Sequence, residues 1–319
     1  MNIFLIIIIL IIIGILLFFI NKRILYNKYI IPIITPKDFQ CSIDFSQYTE
    51  GLNWLKSKKV IIAGLIRNGE DNIEFIKHNI KKVESIFKDY HVLIVENDST
   101  DNTRSLLLEW AEHNSKISIL GCGLNADECK LDLPRTIVHD RTFNRIKKMV
   151  ILRNIYLDFI TDNLNIFNSY DFVIIWDLDI KGSFYIDGMG MSGHYFKNNP
   201  KISALCSNAV YILNIGYGSK QLKYDSYAHR EQKENERLKP LDGLWKVLDL
   251  EKCSDDNDIR ELSSCFGGFT IYRLRDLIGH RYFLQQKNEE ALCEHYTLNK
   301  QIGDIYVNPK MVFVILENK

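Results

Sequence analysis

Five apolar residues, Phe172 to Trp176, run without a break into Asp177-Leu178-Asp179. A short continuous apolar run reads as a strand buried on both faces, the signature of a parallel sheet covered by helices. Two carboxylates at its carboxyl end then lie where open α/β sheets hold their ligands. Paired aspartates are hard oxygen donors that suit Mg²⁺ or Mn²⁺ carrying a phosphate.

The sequence around this strand predicts the rest of such a sheet. Lys59 to Ala63 and His91 to Val95 are apolar strand runs, and residues 70 to 86 between them alternate apolar and charged at helical spacing. Strand, helix, strand predicts a parallel βαβ unit. A helix is expected over 101–113, a short strand over 117–120 and an irregular loop over 121–140. Residues 145–160 carry Ile146, Met149, Leu152, Tyr156 and Phe159 on one stripe of an amphipathic helix. Ile202 to Cys206, Ala209 to Leu213, Thr270 to Tyr272 and Ile305 to Leu316 are further strand candidates. The fold class is α/β, with a mixed, mostly parallel sheet flanked by helices.

From Ile3 to Ile20 every residue is apolar except Gly14. That length approaches the ~20 residues that span a bilayer core, exceeds a signal-peptide core, and lacks a small-residue cleavage site. The expected organisation is a transmembrane anchor over 1–23, a stem over 24–57 that contains Pro32 and Pro36, and a folded domain over 58–319. Lys22, Arg23 and Lys28 after the anchor favour a cytosolic domain by the positive-inside rule. Seven cysteines show neither zinc spacing nor a tidy disulfide frame. The single Asn-X-Ser/Thr sequon, Asn97-Asp98-Ser99, falls in a loop assigned below to the ligand. Forty basic and forty acidic side chains leave no net charge, which gives no field for nucleic acid.

Four segments supply candidate chemistry beside the aspartates. Arg67-Asn68 follows the first strand, where a guanidinium suits a diphosphate or else lies in a solvated turn. Glu96 to Thr103 follows the second. There Glu96, Asp98, Ser99 and Asp101 are placed to accept from a nucleobase or ribose, or to cap the next helix. Arg153 lies on the helix before the aspartate strand. Asp225 and Arg230, in Tyr224-Asp-Ser-Tyr-Ala-His-Arg230, are the candidate catalytic residues, with Asp225 to orient or deprotonate an acceptor hydroxyl. His295, after Cys293-Glu294, is a neutral donor to a metal or a structural histidine.

Taken together, Arg67-Asn68, Glu96 to Thr103, Arg145 to Asn154, Asp177-Leu-Asp179, Tyr224 to Arg230 and Cys293-Glu-His295 resemble the GT-A class of nucleotide-sugar glycosyltransferases over about residues 58–310. The Leu-Arg-Asn helix and the Tyr-Asp…Arg segment are more distantly similar to fungal capsule-associated mannosyltransferases. The resemblance implies a Rossmann-like GT-A domain that moves a hexose from a nucleoside-diphosphate sugar to a glycan or glycoconjugate hydroxyl. It implies Mn²⁺ or Mg²⁺ on Asp179, Asp177 near ribose or metal, His295 as a later metal ligand, and an endomembrane lumenal setting. Two alternatives stay open: a haloacid-dehalogenase-like phosphohydrolase, which also carries Asp-X-Asp after a strand, and an inactive membrane-tethered nucleotide- or glycan-binding protein. The sequence leaves oligomeric state open.

Overall fold

The computed structural model describes residues 12–16, 42–121, 143–214, 219–225, 227–231, 259–287 and 290–316. Most of the expected anchor, the first part of the expected stem, all but Gly121 of the loop expected over 121–140, and Ser226 lie outside the described residues. Residues 12–16 are helical and exposed. Among the described residues no helix is long and apolar enough to cross a membrane.

The described body runs α1 (Phe45–Leu55), β1 (Lys59–Ile66), α2 (Ile73–Ile86), β2 (Asp89–Glu96), α3 (Thr103–Glu112) and β3 (Ile117–Gly121). It continues α4 (Phe143–Asp162), β4 (Phe172–Asp177), β5 (Gly182–Phe184), α5 (Ile186–Asn198), β6 (Ala204–Asn214) and β7 (Ser219–Lys223). After β8 (Arg260–Leu262), β9 (Phe269–Arg273), β10 (Gln286–Lys287) and β11 (Glu290–Ala291) it closes with α6 (Glu294–Ile302) and β12 (Ile305–Leu316). The main sheet is ordered β3-β2-β1-β4-β9-β6-β12-β5, with β7 on β6 and β8 on β12. Strands β3, β2, β1 and β4 are mutually parallel, so Gly121, Glu96, Ile66 and Asp177 end on one edge. Strand β9 runs antiparallel between β4 and β6, while β6 and β12 pair in parallel.

The alternation of β1 shows why its run is continuously apolar. Ile61, Ala63 and Leu65 face one core with α4 and α6 residues such as Ile146, Tyr156 and Leu298. Val60, Ile62 and Ile66 face the other, with Ile76, Ile80 and Val83 of α2. Both faces are covered, giving three layers. The expected stripe on α4 is present: Ile146, Leu152 and Tyr156 are buried, and Met149 and Phe159 pack against them partly exposed.

Two local expectations are corrected. The end of the expected stem is helix α1, whose N-terminus is capped by Asp44 accepting from the Ser46 and Gln47 amides. It packs on α5 through glycines: a Cβ on Gly51 would fall 1.8 Å from the Gly190 carbonyl oxygen, and one on Gly193 2.5 Å from that of Gly51. Replacing Gly51 by valine is expected to cost about 3 kcal/mol by overpacking, read as a lower urea midpoint. Second, the two strands expected over 202–213 are the single strand β6, because Ser207 and Asn208 at the junction are buried and satisfied by the Gly267 and Pro309 carbonyls.

The cysteine pattern is also resolved in part. Cys206 on β6 and Cys265 before β9 form a disulfide, while Cys293 is a buried thiol.

Candidate active site

The shared strand edge gathers most of the predicted segments. At the end of β4, Asp177 donates its amide to the Gly268 carbonyl at 2.9 Å. The Gly267-Gly268 turn adopts φ of +66° and +73°, and a Cβ on Gly267 would meet the Ser207 carbonyl oxygen at 2.5 Å, so this position requires glycine.

Arg153 reaches across from α4 to the aspartates. Its Nη2 donates to Asp177 Oδ1 at 2.9 Å and its Nε to Glu294 Oε1 at 3.0 Å. The guanidinium is 4% exposed and lies over the Phe266 ring. The Tyr224 hydroxyl donates to Asp177 Oδ2 at 3.4 Å. Glu294 and Tyr224 therefore belong to the site although sequence reading gave them no role. For Glu294 the available signal was its place beside His295.

The electrostatics of this group follow from crowding. Burial raises the Asp177 carboxyl against the pull of Arg153, and Glu294 raises it further. Asp179 is open to water at its surface, yet the protein packed about it, and next the Asp177 charge, hold its carboxyl above the usual range. Burial, then Asp177, push Asp225 up to about 7. Arg153 acts on all three aspartates and Arg145 on Asp177 and Asp179. Four carboxylates against two guanidiniums leave about two negative charges when all are ionised, a deficit a divalent cation would fill.

Among the described residues, no three His, Cys, Asp or Glu side chains are grouped to hold a metal by themselves. An ion such as Mg²⁺ is held by one or two carboxylates, with substrate phosphates and water completing its shell. His295 does not join the aspartates as the expected third ligand. It is 2% exposed, stacked on Phe266 with ring centroids 3.6 Å apart, and edge-on to Tyr282. Both ring nitrogens lack hydrogen-bond partners, and burial, with Arg153 beside it, keeps the ring neutral.

The loops after β1 and β2 are laced to each other. The Asn68 amide donates to Ser99 Oγ at 3.0 Å, and Asn68 Oδ1 accepts from the Thr100 amide at 2.8 Å. Glu96, fully buried, accepts from the Ser99 amide and from Arg104. Asp101 accepts from the Thr103 and Glu70 amides. Glu96, Ser99 and Asp101 thus build the loop frame, the structural role offered for this segment beside ligand contact. Asn97 is 2% exposed, so its sequon is out of reach in the folded protein.

Asn68, Asp98 and Asp225 have φ of 49°, 51° and 61°, three of the four non-glycine residues with positive φ among those described. Asn and Asp tolerate that region better than other side chains. Arg230 is placed differently from expectation. Its Nη1 donates to the His229 carbonyl at 2.6 Å and its backbone pairs with Ser264, so it braces the loop that carries Asp225. Arg67 is half-buried, with its Nε covered and without a partner.

No family model and no curated protein matches the chain. Solved structures do align with it. Mannosyltransferase PcManGT from Pyrobaculum calidifontis, in complex with GDP-Man and Mn²⁺, is 14% identical with a TM-score of 0.42, over 85% of this chain and 63% of that one. TarS 1-349 of S. aureus with UDP-GlcNAc is 13% identical with a TM-score of 0.42, over 82% and 59%. GalNAc-T7 with UDP, GalNAc and Mn²⁺ is 12% identical with a TM-score of 0.47, over 83% and 44%. The chain therefore spans less than two thirds of the length of each, and at this similarity the chemistry has to be read from its own residues.

Proposed function

We propose that this protein is a metal-dependent glycosyltransferase that moves a hexose from a nucleoside-diphosphate sugar to an acceptor hydroxyl of a glycan or glycoconjugate. The observation that carries this is that Arg153 binds both Asp177 and Glu294 at the carboxyl edge of β4, where the Asp177 charge also raises the carboxyls of Asp179 and Asp225. Asp179, the exposed residue of the pair, and Asp177 are the residues that would hold Mn²⁺ or Mg²⁺. The ion, when bound, neutralises charge on the departing diphosphate.

Arg153 fixes the Asp177 carboxylate by a charge-assisted hydrogen bond. Asp98, on its left-handed turn after β2, is assigned to the nucleoside. Asp225 orients the acceptor hydroxyl and takes its proton as the new bond to the anomeric carbon forms. The old bond breaks with its electron pair left on the diphosphate. A carboxyl pushed up to about 7 has the proton affinity for that role near neutral pH. A haloacid-dehalogenase nucleophile is disfavoured, because Arg153 holds Asp177 Oδ1 and the aspartate strand is the fourth in the chain.

The raised Asp225 carboxyl fixes the sign of a pH effect. Its folded value of about 7 lies above the ordinary 3.8, so the stability it contributes is complete below about pH 4 and is lost as pH rises through 7. Asp225→Asn is therefore expected to raise the melting temperature at pH 8 relative to the parent, with little change at pH 4. A variant equally displaced at both pH values would contradict the assignment.

The membrane anchor at 1–23 is part of this proposal. The Cys206–Cys265 disulfide favours an oxidising compartment, the side that the family resemblance implies and the flanking charges oppose. The test of the donor is a thermal-shift panel with UDP, GDP and CMP, each with Mn²⁺ or EDTA. A Mn²⁺-dependent rise with one nucleotide supports the reading, and no rise with any from a folded sample sinks it.

A further inference from the structure

Three groups of the site rest on the turn Phe266 to Gly268. The Arg153 guanidinium lies over the Phe266 ring at 5.3 Å, the His295 ring stacks on the same ring at 3.6 Å, and the Asp177 amide donates to the Gly268 carbonyl at 2.9 Å. Two successive glycines give this turn its left-handed geometry but no side chain to pin it, and glycine loses more backbone freedom on ordering than any other residue. What pins it comes from β6 and α6. Cys265, next to Phe266, is bonded to Cys206 of β6, and the neighbouring Ser207 hydroxyl donates to the Gly267 carbonyl at 2.8 Å. Asn299 of α6 donates to the Cys265 carbonyl at 2.8 Å. The disulfide ties the start of the turn to the sheet across a sequence separation of 59 residues, and on the chain-entropy account a long closed loop gives the larger constraint. Cys206 is 0% and Cys265 4% exposed, so the bond is shielded from reductants in the folded chain and holds rather than switches.

We propose that the Cys206–Cys265 disulfide and Phe266 are positioning elements of the candidate active site, which is correctly assembled only when the bond has formed. Neither is assigned to a reacting atom. The disulfide fixes Phe266 against β6, Phe266 carries the guanidinium that binds Asp177 and Glu294, and Gly268 fixes the Asp177 main chain. A cation over a ring is held most strongly where water is excluded, and Arg153 is buried. The consequence for turnover rests on the transferase reading, whereas the assembly of the group does not.

The experiment compares the full-length parent with Cys206→Ala/Cys265→Ala, Phe266→Leu and, as a control, Gly51→Val, whose clash lies between α1 and α5. All are measured at one temperature below their melting points, by hydrogen exchange at single amides and by Mn²⁺-dependent release of nucleoside diphosphate from UDP- and GDP-sugars. In the double variant the Asp177 amide is expected to exchange at least about tenfold faster than in the parent, with Val92 to Val95 of β2 unchanged, as for a local opening. Its kcat is expected to fall at least about tenfold, with a smaller change in donor KM, because misplaced groups cost rate. Phe266→Leu keeps the disulfide, so it reads the platform even if the double variant does not fold, and it is expected to lose kcat likewise. Gly51→Val is expected to keep the parental kcat and the parental exchange at Asp177.

Faster exchange spread equally over Asp177 and β2, or an equal loss of kcat in Gly51→Val, would make the disulfide a global stabiliser and overturn the proposal. So would parental kcat in the double variant or in Phe266→Leu. If the parent releases no diphosphate from any donor, the transferase reading fails, and exchange at Asp177 alone decides whether the bond assembles the group.

Discussion

Asp179→Ala is expected to lower metal-supported turnover by roughly 10³-fold while leaving the fold intact. A catalytic metal contributes several kcal/mol of transition-state stabilisation, and each 1.36 kcal/mol is about tenfold in rate. Asp179 is the exposed residue of the pair, and Asp177 accepts from Arg153 and Tyr224. Removing Asp179 also removes a carboxylate that repels Asp177, so the melting temperature at neutral pH is expected to stay level or rise. Turnover and thermal melting of the variant with Mn²⁺ and with EDTA check both parts. A variant that keeps parental activity would refute the assignment, and one that loses activity because it unfolds would contradict the electrostatic account.

The second large effect is on stability. Arg153→Met is expected to destabilise by about 3–5 kcal/mol, the cost of breaking a buried ion pair by removing one partner. Here one guanidinium serves both Asp177 and Glu294, and both are left without their cation. Arg153→Lys should recover little of this, since a point-like ammonium does not reproduce donors aimed at two carboxylates from one planar fork. Urea denaturation at pH 7 measures it. The loss should shrink as pH falls and the stranded carboxylates protonate, which a packing defect alone would not show.

The sheet was legible where strands are buried on both faces, since that leaves an unbroken apolar run, as in β1, β2 and β4. Helix α5 was not legible. Gly188, Gly190 and Gly193 give it poor helix propensity, and their reason is tertiary: each lies too close to a facing element for a Cβ. Helix α1 was hidden in the expected stem, because what holds it is the glycine contact with α5 rather than a strong pattern of its own.

In the site, the aspartate pair and Arg153 could be read because strand ends and residue types point to one edge. The partners could not. An acid at a strand end reads the same whether it meets a ligand or, like Glu96, is sealed by Arg104 eight residues on. Likewise His295 has the chemistry of a ligand, but its ring is stacked on Phe266, which the sequence does not place beside it.

The most direct test of the central claim is release of nucleoside diphosphate from a panel of UDP- and GDP-sugars by the full-length chain, with Mn²⁺ or with EDTA. Slow hydrolysis of a bound donor makes this readable without the acceptor. The expected result is Mn²⁺-dependent release from one donor by the parent and its loss in Asp179→Ala. Absence of metal-dependent release from every donor by a folded sample, or equal release by Asp179→Ala, would contradict it.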